Sequence, residues 1–176
     1  CDALTSVTIP DSVTKIGSSA FSYISDDATI NVDESHSVFD SREGCNAIIL
    51  TAENKLVYGR KNTIIPDSIT SIGSYAFRSC TGLTSVTIPN SVTTIGNGAF
   101  HSCESLTSIA IPDSVTAIEA SAFARTGLTE IVVANSVTEI REYTYADCKG
   151  FVNITIPDTI TKIRRDAFRS CEKIKS

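Results

Sequence analysis

Leu83-Thr84-Ser85-Val86-Thr87-Ile88-Pro89-Asn90-Ser91-Val92-Thr93-Thr94-Ile95-Gly96 returns at Leu106 to Glu119 and, less closely, at Leu128 to Arg141 and Phe151 to Arg164. An earlier copy opens at Leu4. Pro66, Pro89 and Pro112 are spaced by 23 residues, Ala134 takes the proline's place after 22, and Pro157 follows after 23 more. A constant period means that one structural unit is stacked on the next, and this decides the fold before any local propensity does.

Within each unit, Leu-x-x-Val-x-Ile-Pro predicts a short β-branched strand with alternate residues inward, stopped at the proline because proline has no N–H to give to a ladder. Asp or Asn followed by Ser then turns the chain through side-chain bonds to its own backbone. A second apolar pair follows, Val92 with Ile95 and Val115 with Ile118. It leads to Ala20-Phe21, Ala76-Phe77, Ala99-Phe100, Ala122-Phe123 and Ala167-Phe168, with Thr144-Tyr145 as the variant, and the aromatic is the expected large core filler. A unit with one apolar side cannot bury it alone, so neighbours must stack about 4.8 Å apart, giving a rod or arc on the order of 35 Å long.

The composition narrows the function classes. The chain has 176 residues, 41% hydrophobic and 20% charged, which is enough for one folded domain. A net charge of -5 argues against a nucleic-acid or anionic-lipid footprint. No run approaches the roughly 18 apolar residues of a spanning helix, and Cys1-Asp2-Ala3-Leu4 has no basic region ahead of an apolar one, so direct membrane insertion is not expected. Met is absent, so the chain is expected to be an excerpt of a longer repeat protein, with both ends at the same repeat phase and a tendency to end-to-end self-association.

The pattern Leu-x-x-Val-x-Ile-Pro-x-x-Val-x-x-Ile-Gly-x-x-Ala-Phe-x-x-Cys resembles the BspA-like, or Treponema-type, leucine-rich repeats of bacterial and protist surface proteins. The resemblance implies a β-rich, right-handed repeat solenoid of about seven 23-residue units, with short parallel strands, short helical or 3-10 turns and an inserted β-hairpin. The whole chain, 1–176, is expected to be a single leucine-rich-repeat domain, with regular coils at 1–24 and 63–176 and an expanded coil at 25–62. Other departures are a deletion near Arg125-Thr126-Gly127 and the loss of proline at Ala134.

In the expanded coil, Ile30-x-Val32 is the expected strand and Asp33 sits in the proline position 23 residues after Pro10, yet Pro66 comes 33 later. Ten residues have been added. Ala47 to Thr51 and Lys55 to Tyr58 flank Ala52-Glu53-Asn54, which reads as a hairpin. It either projects at a binding face or packs Ile48, Leu50, Leu56 and Tyr58 into a larger core, and apolar hairpin faces usually pack inward.

Cys1, Cys80, Cys103, Cys148 and Cys171 share one repeat position and are expected as buried free thiols, with Cys45 alone outside the phase. Stacked parallel side chains make a disulfide dihedral difficult. No zinc spacing, calcium loop, phosphate loop or catalytic elbow occurs, and His36 and His101 fall about three coils apart. No enzyme, metal or cofactor is expected. Asn153-Ile154-Thr155 matches a glycosylation acceptor.

Variation between copies marks where partners are read. Thr8, Thr87, Ala110, Val132 and Thr155 are expected to point outward from one open ladder beside Ser6, Ser85, Ser108, Glu130 and Asn153. From this stripe, Thr8, Thr87, Thr155, Ser85, Ser108 and Glu130 are the expected ligand-binding residues. Thr in such a stripe also serves β-propensity alone. The resemblance implies a surface-exposed or secreted interaction module that adheres to host or neighbouring cells through a protein or glycan on the cell surface or in the extracellular matrix. The rival reading is a structural spacer in an extracellular assembly.

Overall fold

The computed structural model describes residues 4–17, 20–21, 24–152 and 154–173. Cys1, Asn153, Ile174 and Lys175 lie outside them. The chain is a β-solenoid of repeat coils. β1 (Ser6–Ile9) and β2 (Thr29–Val32) pair in parallel with Val7 opposite Ile30 and Ile9 opposite Val32, an offset of one repeat. A six-stranded sheet then joins β3 (Phe39–Asp40), β4 (Ala47–Leu50) and β5 (Lys55–Gly59), which are antiparallel, to β6 (Ser71–Ile72), β7 (Thr94–Ile95) and β8 (Ala117–Ile118), which are parallel. β9 (Glu139–Ile140) and β10 (Lys162–Ile163) form a third, parallel pair.

In the coils from residue 63 onward the ladder falls after the proline, on a two-residue step that ends in Ile, and not on the expected Val-x-Ile before it. The reason is how closely the backbones approach. Gly73 and Gly96 follow β6 and β7, and a Cβ on Gly96 would stand 2.7 Å from the Gly73 carbonyl carbon and 2.8 Å from the Ile72 oxygen. Glycine suits that closest approach between the β6 and β7 turns, and in the next coils Glu119 and Arg164 make the same bond one coil back, to Ile95 and Ile140 at 2.9 and 2.8 Å. On the Val-x-Ile side, among the described residues, one bond crosses between coils 63–173, from Thr129 N–H to the Thr107 carbonyl at 3.4 Å.

The Ala-Phe corner carries a second inter-coil ladder. Tyr75, Phe77 and Ser79 donate N–H to Asn97, Ala99 and His101 of the next coil at 2.9, 2.7 and 2.8 Å. The intervening Ala76, Arg78 and Cys80 donate back three residues, to Gly73, Tyr75 and Phe77. This alternation needs the left-handed backbone at Tyr75 and Ser79, with φ of 59° and 57°. It recurs at Gly98 and Ser102, Ser121 and Arg125, Tyr143 and Asp147, and Asp166 and Ser170. Each non-glycine left-handed residue costs about 1 kcal/mol or more; the inter-coil bond it aims offsets that. The expected helical or 3-10 turns are thus corners of three-residue turns, and among the described residues the 3-10 segments proper, Arg42–Gly44 and Thr51–Glu53, lie in the expanded coil.

The rings inside these corners form a spine. Phe77, Phe100, Phe123, Tyr145 and Phe168 stack nearly parallel with centroids 5.1, 5.5, 5.9 and 5.6 Å apart. Those separations suit offset stacking, and burying each ring stabilises the fold by about 2 kcal/mol or more. Thiols follow the same period. Cys103, Cys148 and Cys171 donate Sγ–H to the carbonyls of Phe77, Phe123 and Tyr145 in the preceding coils. Cys45, Cys80, Cys103, Cys148 and Cys171 are free thiols.

The hairpin does not project. Ile48 and Tyr58 pack with Ile9, Ile30, Val32 and Phe39, whereas Ile49 and Leu56 belong to the larger core of Phe77 and Phe100. The hairpin is therefore a wall, buried on both faces, between two hydrophobic cores.

Candidate functional site

The candidate surface is the Leu-x-x-Val-x-Ile side. Thr8, Thr87, Thr155, Ser85, Ser108 and Glu130 are all exposed there. Ser85, Ser108 and Glu130 hold one repeat position in successive coils of the regular stack, and Thr87 and Thr155 hold another two residues further on. Thr8 does not join them in a common ladder, because it sits in the separate β1–β2 sheet opposite Asn31. The expected single open ladder is therefore corrected to a row of exposed side chains on segments that the backbone leaves mostly unpaired. The coils part on this side, and a cleft of about 420 Å3 opens between Glu130-Ile131 and Thr155-Pro157.

Val132 breaks the expected row: it is buried, while Ile131 and Val133 are half-buried. This coil has lost one residue at Arg125-Thr126-Gly127, and in it Val132 and Ala134 enter the core while Ile131 and Val133 still pack against it. The Val132 carbonyl accepts the Tyr145 hydroxyl at 2.5 Å, which fixes the segment to the spine. The same deletion interrupts the strand ladder between β8 and β9. Side chains bridge the gap: Arg141 pairs with Glu119 at 2.8 Å, and the Asn135 amide groups donate to Asp113.

The sequence pattern passed over the hydroxyls after the proline. Thr70, Thr93, Thr116 and Thr161 donate to carbonyls one coil back, to Glu53, Thr70, Thr93 and Thr138. Ser91 and Ser114 do the same to Ile69 and Val92 at 2.6 and 2.8 Å. These repeated hydroxyls are spent on holding coils together. The recurrence of Thr four residues after the proline position, at Thr70, Thr93, Thr116, Thr138 and Thr161, was the available signal, since a residue that recurs from coil to coil serves the stack.

Burial also decides the thiols and the histidines. Desolvation pushes the Cys80 thiol up to about 12 and the Cys148 thiol up to about 11, and it raises Cys103 and Cys45 as well. None is a thiolate at neutral pH, so none is a nucleophile there. His36 is buried and accepts N–H bonds from Val38 and Phe39 on Nδ1, both at 3.1 Å, so its role is to shape its own turn. His101 sits at the Ala-Phe corner, 2.9 Å from the Ser102 hydroxyl. Among the described residues no group of three His, Cys, Asp or Glu is placed to hold a metal, and no helix is long and apolar enough to cross a membrane.

One polar residue is buried where the repeat wants leucine. Counting 23 back from Leu83 lands on Arg60, which is 1% exposed. Its guanidinium donates to the carbonyls of Phe21 and Ile24, pairs with Asp26 at 3.3 Å and lies 5.3 Å from the Tyr58 ring centroid. Asp26 in turn accepts the Gly82 N–H at 2.8 Å. Arg60 therefore locks the first coils to the regular stack and is structural.

Comparison with known proteins agrees with this architecture. The model of the BspA type leucine-rich repeat region matches residues 1–58 and 53–175 in six copies. A leucine-rich repeat protein from Eubacterium ventriosum superposes with a TM-score of 0.75 at 22% identity, over 97% of this chain and 47% of that one. The pneumococcal vaccine antigen PcpA gives 0.74 at 22% identity, over 94% and 44%. A leucine-rich cell surface protein from Faecalibacterium prausnitzii gives 0.59 at 29% identity, over 98% and 41%. The chain thus spans less than half the length of each of these structures. No curated protein matches it. The fold is a repeat scaffold of the kind used for protein interaction, and the chain belongs to the BspA-type leucine-rich repeat family.

Proposed function

We propose that residues 1–176 act as one repeat domain and form the binding part of a surface-exposed or secreted protein that adheres to host or neighbouring cells, through a protein or glycan of the cell surface or matrix. The observation that carries this reading is the parted side of the solenoid. Ser85, Thr87, Ser108 and Thr155 are exposed on segments whose backbone the neighbouring coils leave almost unbonded, in contrast to Thr70, Ser91, Thr93, Ser114, Thr116 and Thr161 after the proline, which bond to carbonyls of the preceding turn of chain. Such a row offers hydrogen-bond donors, acceptors and methyl groups to a broad partner surface. The F. prausnitzii relative, described as a cell surface protein, supports the location.

The test is capture of cell-surface and matrix components on the immobilised chain, compared with the Thr87→Lys/Thr155→Lys variant. Both positions are exposed, so the variant is expected to keep its circular dichroism and melting temperature while losing capture. Capture that survives the double substitution would remove this face from the account. Absence of any selective capture by the folded chain would favour the spacer reading.

A further inference from the structure

We propose that the cleft between Glu130-Ile131 and Thr155-Pro157 seats a lysine or arginine side chain of a basic protein partner. This inference rests on the parted face described above and names the class of partner which that face takes. The cleft holds about 420 Å3 and lies among the exposed side chains of the face. Glu130 and Thr155 are exposed at its walls, and Ile131 and Pro157 are half-buried beside them. A long cationic side chain calls for this combination, with apolar surface along its methylene stem and a carboxylate at its head. The Thr155 hydroxyl adds an acceptor for a second N–H of the head.

Glu130 is a departure from the repeat. Its position is held by Ser85 and Ser108 in the two coils before, so a carboxylate interrupts a row of hydroxyls. On the strand side the chain neutralises such acids from one coil to the next, where Glu119 pairs with Arg141 and Glu139 with Arg164. Glu130 is in none of the ion pairs among the described residues. A carboxylate left unpaired beside apolar walls is a place for a cation from outside the chain.

The charge around the cleft has one sign. Segments 83–90, 106–113, 128–135 and 151–158, which make up the parted face, contain no Lys or Arg, and their charged residues are Asp113, Glu130 and Asp158. Asp113 and Asp158 are exposed and, like Glu130, form no ion pair among the described residues. Lys149, the cation nearest to these segments in sequence, lines a different groove with Asp147 and Glu172. An acidic ligand would meet repulsion on this face, and an apolar side chain in the cleft would take water from Glu130 and return nothing. An uncharged sugar would leave the carboxylates without a counter-charge. A basic segment lying across the coils satisfies all three, and the one in the cleft is drawn out of bulk water, where an ion pair is stronger than on open surface.

The test titrates the folded chain, observed by backbone amide NMR, with hexalysine, its side-chain-acetylated form, a diaminobutyrate hexamer of equal charge on a shorter stem, and uncharged chitohexaose. Saturable shifts centred on Glu130, Ile131 and Thr155 are expected from hexalysine, with about fivefold weaker binding from the short-stemmed peptide and none from the acetylated peptide or the sugar. Glu130→Gln is expected to weaken hexalysine about fivefold at this site, and Glu130→Lys to abolish it, with the spectrum otherwise intact. Glu104→Gln, at an exposed acid outside the face, is expected to change nothing. Shifts spread evenly over the acidic surface, equal binding by Glu130→Gln, or equal binding of the short-stemmed peptide or the sugar would overturn the proposal. The adhesive reading fails separately. Site-specific hexalysine binding by a chain that captures nothing from cell surfaces supports the pocket and removes adhesion, whereas capture abolished by Thr87→Lys/Thr155→Lys yet untouched by Glu130→Gln keeps adhesion and overturns the pocket.

Discussion

The expanded coil and the regular stack solve the same joining problem with different residues. In the regular stack the Phe100 amide bonds to Ala122 and the Gly96 amide to Ile72, and each aromatic ring rests on the next. At the junction, Gly59 N–H bonds to Ala76 and the Gly73 amide to Leu56, so β5 offers β6 the same edge that any coil would. Gly59 also stands in the place of a ring: a Cβ there would lie 2.4 Å from the Phe77 ring, which closes the spine against bare backbone. An inserted hairpin is therefore tolerated if its last strand reproduces one coil's edge. What the hairpin cannot reproduce is the continuous core, and the first coils are held instead by Arg60, Asp26 and the Tyr58 hydroxyl on the Phe21 carbonyl.

Removing a ring from the regular stack sharpens this contrast most. Phe100→Ala leaves a cavity between Phe77 and Phe123 and is expected to cost about 4 kcal/mol, read by denaturant unfolding, with the loss felt across residues 63–173. Arg60→Ala breaks the other region. It leaves two carbonyls and part of Asp26 without their partner and is expected to cost about 3 kcal/mol, with hydrogen exchange rising in residues 4–58 and little changed beyond Phe77. Uniform loss of protection would mean that the two cores unfold as one. Gly96→Ala drives a methyl against backbone that cannot swing away, so about 2 kcal/mol is expected, and the same change at exposed Gly44 should not be used as its control because φ there is 61°.

The smallest effect is titrational. Cys80 has its folded value raised to about 12 by burial, so the folded state holds a proton that the unfolded chain releases from about pH 9. Stability from this group is complete below pH 9 and is lost as pH rises toward 12, by about 1.4 kcal/mol at pH 10. Cys80→Ala is expected to flatten that part of the stability profile, measured by urea unfolding at pH 8, 9 and 10. An unchanged slope would contradict the buried thiol.

The period made the solenoid, the aromatic spine and the buried thiols readable in advance, because each follows from one residue type recurring at one spacing. The position of the strand ladder was not readable from propensity. Val86-x-Ile88 and Thr94-Ile95 are both β-branched, and which side bonds is set by how near the neighbouring coil comes. Gly73 and Gly96 marked that approach in two coils only, since Glu119 and Arg164 make the same bond in later ones. The exposed row was legible except at Val132, an apolar residue that turns into the core beside Ile131 and Val133. Arg60 was legible only by counting the period through the insertion, which shows a guanidinium in a leucine slot.

The measurement that bears most directly on the account is residue-resolved amide hydrogen exchange across one regular coil. The amides of Phe77 and Phe100, bonded to the next coil, are expected to exchange only on global unfolding, whereas those of Ser85, Thr87 and Ile88 should exchange orders of magnitude faster in the folded chain. Equal protection on both sides would show the Val-x-Ile segments closed into a ladder of their own, and the parted face on which the binding role rests would not exist.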